Sequence, residues 1–131
     1  MILSSCSLTD GNESRQIELD RHWELIELVS STGETLPTYD YEVHTLRFTN
    51  KSEFKGEVSC NNYGGKYEAR KNGEIEISGI FVTEVFCRQP SLGDKFVQAL
   101  TQVNRFEREA GQLILFYGKK GKFISSERLE H

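Results

Sequence analysis

A chain of 131 residues with 37% hydrophobic and 27% charged side chains has material for one domain. Its net charge of −4 and pI near 5.4 argue against a nucleic-acid binder, which needs a basic surface to displace counterions from phosphates. No stretch approaches the roughly 20 apolar residues that a membrane-spanning helix requires.

In chain order, residues 1–20 read as a tail. Leu3-Ser4-Ser5-Cys6 is similar to a bacterial lipobox, a small-residue cleavage site before a cysteine that receives lipid. A full export signal carries basic and apolar residues upstream, where only Met1-Ile2 stand. Ser7 to Asp20 is polar and reads as a tether. A single domain then spans residues 21–128, and residues 129–131 resemble the stub of an affinity tag.

Most of the domain alternates with period two, the signal of half-buried strands. Trp23 and Leu25 open the first strand, and Leu28 continues it past an irregularity at Ile26. Ser30 to Tyr41 is rich in turn formers and reads as a loop. Leu46 and Phe48 alternate with Thr45, Arg47 and Thr49; Phe54, Gly56, Val58 and Cys60 share the next strand face. Gly64-Gly65 predicts a tight turn, with Asn61 or Asn62 bonding local backbone. Asn72-Gly73 predicts a type I′ hairpin joining Lys66–Lys71 to Glu74–Gly79. Phe96, Ala99, Leu100 and Val103 fall at helical spacing and predict one amphipathic helix of roughly three turns, with Ser91 and Asp94 at capping-box spacing. The strand of Phe106 then pairs with Leu113–Tyr117 across Ala110-Gly111. Leu113–Tyr117 is apolar on both faces and predicts a central strand; a last strand holds Phe123 and Ile124. The expected fold is mainly β (α+β): a curled antiparallel sheet or partly open barrel with one α-helix packed against its open side.

Two cysteines end apolar alternating segments, in Cys60-Asn61-Asn62-Tyr63-Gly64-Gly65-Lys66-Tyr67 and in Thr83-Glu84-Val85-Phe86-Cys87. With Trp23-Glu24-Leu25, Phe96-Val97-Gln98-Ala99-Leu100 and Leu113-Ile114-Leu115, these runs resemble the pattern of the META domain (HslJ-like) family over about residues 22–127. Ser59 departs from the glycine that the family favours before the first cysteine, and Gly93 from its common acidic residue. The resemblance implies a small β-rich domain of the bacterial cell envelope, often lipid-anchored, associated with heat shock and stress. It implies no reaction.

For Cys60 and Cys87 a structural disulfide leads, with free buried thiols and a redox pair as alternatives; the C-x-x-C spacing of oxidoreductases is missing. Tyr63, Tyr67, Phe81 and Phe86 cluster in sequence around them, as core packing or as an exposed rim for a partner. Asn61, Asn62, Tyr63 and Tyr67 are the binding candidates, and Cys6 is the lipidation candidate. His22 and His44 have no second ligand at metal spacing, so no metal or other cofactor is expected. No nucleophile elbow or triad order occurs in the sequence. Glu74 and Glu76 read as a solvated strand face. The expected function is a non-catalytic, monomeric envelope lipoprotein that binds an envelope protein or a small apolar ligand. A groove-based inhibitor or chaperone-like protein is the alternative, and an enzyme acting on envelope polymers ranks third.

Overall fold

The period-two segments form eight antiparallel strands: β1 (His22–Val29), β2 (Val43–Phe48), β3 (Glu53–Ser59), β4 (Asn61–Ala69), β5 (Ile75–Val82), β6 (Val103–Glu109), β7 (Gln112–Tyr117) and β8 (Gly121–Glu127). One helix, α1 (Gly93–Leu100), lies between β5 and β6. The computed structural model describes Leu19, residues 21–49 and residues 52–128. Cys6, most of the tether and residues 129–131 lie outside the described residues.

The strand order is β5-β4-β3-β2-β1-β8-β7-β6. The sheet curls until its two edge strands meet at one bridge, Glu74 with Arg105, beside a bond from the Phe106 N–H to the Gly73 carbonyl at 2.8 Å. The result is a nearly closed barrel, the expected class. β1 bulges between Leu25 and Glu27, where the sequence marks Ile26.

The interior is a chain of aromatic rings. Tyr67 meets Phe48, Phe48 meets Phe54, and Phe54 meets Tyr63. Phe96 of α1 then packs against Tyr63, His44 and Phe123 with centroids 5.1–5.7 Å away. Ala99 and Leu100 are buried with it, so the apolar stripe of α1 plugs the barrel. Leu19, assigned by the sequence to the tail, is 1% exposed, and its carbonyl accepts the Trp23 indole N–H.

Local expectations fail at four places. The helix has only eight residues, about two turns, and buried Val103 belongs to β6. Its N-cap is Leu92 without a side-chain cap; Ser91 Oγ instead accepts the Gly93 N–H, and no Ser91–Asp94 box forms. Gly64-Gly65 is no turn but the middle of β4. A Cβ on Gly65 would stand 2.8 Å from the Phe54 ring and 2.9 Å from the Ser78 carbonyl oxygen, so close approach explains the glycine. The real turn is Ser59-Cys60, since Val58 pairs with Asn61 and Ser59 takes φ 58°. At the β4–β5 hairpin only Gly73 of the Asn72-Gly73 pair has positive φ, and its N–H bonds the Arg70 carbonyl. That is a three-residue loop with a glycine bulge, not a type I′ turn. Finally, β7 is second from the β6 edge, and its buried face is Leu113, Leu115 and Tyr117 alone.

Candidate functional site

The Cys60–Cys87 disulfide forms, with Cα atoms 5.6 Å apart across a sequence separation of 27. It ties the β3–β4 turn to the segment between β5 and α1. Asn61 extends the tie. Its side-chain oxygen accepts the Val85 N–H at 2.7 Å and the Thr83 hydroxyl at 2.7 Å. Its amide nitrogen donates to the Val85 carbonyl at 3.0 Å and to Cys87 Sγ at 3.3 Å. The Thr83 N–H bonds the Asn62 carbonyl at 3.0 Å. One side-chain amide therefore acts as a peptide group of a neighbouring strand and holds residues 83–85 alongside β4.

Under this brace is a buried polar knot. The Glu42 side chain is 1% exposed. It accepts bonds from Ser59 Oγ at 2.8 Å and from the Leu92 N–H at 3.0 Å, and Ser91 also bonds it. His44 Nε2 lies 3.6 Å from it, with the imidazole stacked on Phe96. Burial pushes the Glu42 carboxyl up, but the bonds from Ser91, Leu92 and Ser59 and the nearby His44 outweigh it and leave it lowered. Burial depresses the His44 pKa, only partly offset by Glu42.

Above the knot, the 83–91 segment and α1 enclose a groove of about 670 Å³. Val82, Val85, Phe86 and Val97 supply its apolar lining, and Glu84 and Asp94 its charge. Val85 is 59% and Phe86 87% exposed. Both are large apolar side chains held in solvent on a braced frame.

The family-wide profile of the META domain matches residues 15–129. The chain belongs to the META domain family. A protein from Burkholderia xenovorans, solved by NMR, is similar in fold at 18% identity with a TM-score of 0.74, over 89% of this chain and 88% of that one. A DUF4847 family protein from Bacteroides vulgatus is similar at 15% identity with a TM-score of 0.65, over 90% of this chain and 99% of that one. No curated protein matches the sequence.

In this META domain the predicted site residues part company. Cys87 and Asn61 line the groove, and Cys60 joins it through the disulfide. Asn62 is exposed and lines a different depression with Phe81 and Arg47. Tyr63 and Tyr67 point into the barrel, 1% and 8% exposed, while Phe81 and Phe86 lie outside. Among the described residues no cluster of three potential metal ligands occurs. Sequence reasoning missed Glu42, Val85 and the role of His44. Glu42 meets its Leu92 partner across 50 positions, a distance no local pattern reports. The exposed Val85-Phe86 pair did carry a signal: adjacent apolar residues after the β5 alternation ends.

Proposed function

We propose that this META domain is a non-catalytic binding module of the bacterial cell envelope, lipid-anchored through Cys6, in an accessory role linked to stress. The observation that carries the reading is Phe86, an almost fully exposed aromatic on a loop fixed at both sides by the Cys60–Cys87 bond and the Asn61 amide. Exposed aromatics on a pre-organised frame lose little entropy on binding and supply contact area. A disulfide fits an oxidising compartment, which supports the envelope location. The non-catalytic reading is supported by Glu42. The buried carboxylate beside a histidine is spent on holding the start of α1 and the β3–β4 turn.

A photo-crosslinking residue at position 86, with one at exposed Glu68 on β4 as control, tests the module in intact cells. Discrete adducts from position 86 and not from 68 are expected, with membrane association lost in Cys6→Ser. Absence of adducts at position 86 overturns the binding reading. Unchanged partitioning of Cys6→Ser overturns the anchor.

A further inference from the structure

The geometry points to strand addition at residues 84–86: the outer edge of this segment, beside the groove, takes an extended segment of a partner protein that alternates apolar residues with lysine or arginine. This rests on the binding-module reading and names its partner's chemistry.

The first ground is main-chain direction. Thr83 and Val85 turn their N–H groups toward β4, to the Asn62 carbonyl and the Asn61 side chain. Alternate residues of an extended chain face opposite ways, so the main-chain groups of Glu84 and Phe86 face away from β4. Among the described residues no hydrogen bond takes them. The segment continues β5, itself a sheet edge. An edge with its donors and acceptors open, beside an apolar wall, is what strand addition uses: backbone bonds give affinity and alternate side-chain pockets give specificity.

The second ground is charge. Glu84 and Asp94 line the groove, and no lysine or arginine does. Arg88, the basic residue of the loop, is held over the Tyr41 ring with its guanidinium carbon 4.1 Å from the centroid. A basic strand on this edge gains from the Glu84 carboxylate. A second copy of this chain, paired antiparallel edge to edge, would set Glu84 against its own counterpart or against Glu76 of the other copy, and like charges across a strand pair are unfavourable. An anionic lipid surface meets the same repulsion. The lower half of the β5 edge is also blunted, by Glu76 and by a bulge at Gly79 with φ 60°, which confines addition to the upper part.

The test titrates the oxidised protein with three acetylated, amidated heptapeptides and follows backbone amide shifts. The first alternates lysine and valine. The second replaces lysine by glutamate. The third is the first with N-methyl groups on alternate residues, which removes the donors on one edge. The first should shift amides of Glu84, Phe86 and Val97. The second and third should bind at least about tenfold more weakly, the worth of a lost charge-assisted or main-chain bond. Glu84→Lys should reverse the preference between the first two. Equal binding of the N-methylated peptide and the parent overturns strand addition, and equal binding of the glutamate peptide overturns the charge assignment. If no peptide shifts residues 82–98 while cells still give adducts at position 86, strand addition is wrong and the module stands. If both fail, both readings fall.

Discussion

The Tyr63 hydroxyl donates to the Thr45 carbonyl at 2.7 Å, reaching from β4 across β3 to β2. It does so where the β2–β3 ladder is interrupted. Paired positions His44–Val58 and Arg47–Lys55 flank a gap, and within it the Glu57 N–H bonds Thr45 Oγ1. Gly56, opposite Tyr63, leaves room for the ring: a Cβ there would stand 2.2 Å from the Thr45 oxygen and 3.0 Å from the ring. The arrangement recurs across the barrel. Tyr117 lies over its partner Gly121 and donates to the Val29 carbonyl at 2.6 Å.

Tyr63→Phe therefore strands a buried carbonyl and should cost about 1–3 kcal/mol. Gly56→Ala should cost more, because backbone and ring must both move. Chemical denaturation of the two variants checks the order. Equal stability of Tyr63→Phe and the parent would mean that the Thr45 carbonyl finds another donor.

Acid should weaken the fold in two stages. The folded pKa of His44 is depressed below 6.5, so the unfolded chain binds that proton first and stability falls as pH drops through about 6.5 toward the folded value. Glu42 is also depressed, below 4.5, so its contribution is present above that pH and is lost as pH falls through the folded value. Melting curves from pH 8 to 3 should show both limbs. His44→Phe, which keeps the stack on Phe96, should flatten the upper one. Glu42→Gln should shrink the lower one and deepen the upper, because the carboxylate that partly offsets the His44 depression is gone.

How far the sequence reveals this molecule follows the range of each interaction. Period-two patterning located the strands, and Ile26, 50% exposed at the β1 bulge, was legible because it breaks that pattern. The double glycine misled because glycine serves both turns and close approach, and only the Phe54 ring across the ladder decides which. Val103 fits a helical stripe by spacing, but the chain turns at Thr101-Gln102, where the Gln102 N–H bonds the Ala99 carbonyl. At the site, the cysteines and Asn61 stood out by residue type. The Asn61 grip on residues 83–85 and the Glu42 knot are contacts between distant segments, and no local pattern encodes them.

Removing the disulfide should release the site before the barrel. In the chain-entropy account, a loop of 27 residues contributes about 3.5 kcal/mol. The barrel keeps its ladders and aromatic chain without it, whereas residues 83–91 lose one of two braces. Limited proteolysis of a Cys60→Ser, Cys87→Ser double variant should cut first within 83–91, at protease levels that leave the parent intact. Cleavage spread evenly over the strands would instead make the bond a support of the whole fold.

The β6–β7 hairpin offers a stabilising change. Glu109 pairs with Gln112, so Ala110-Gly111 is a two-residue turn, and both residues have positive φ, 31° and 81°. That is the type I′ geometry the sequence assigns to Asn72-Gly73. Alanine is poorly suited to it, because its Cβ crowds the backbone in the left-handed region, while asparagine tolerates that region through its short polar side chain. Ala110 is exposed, so the larger side chain meets solvent. Ala110→Asn should raise stability by about 0.5–1 kcal/mol. Thermal unfolding of the single variant checks the sign. A lower melting temperature would show that the turn depends on the alanine for a reason other than its backbone angles.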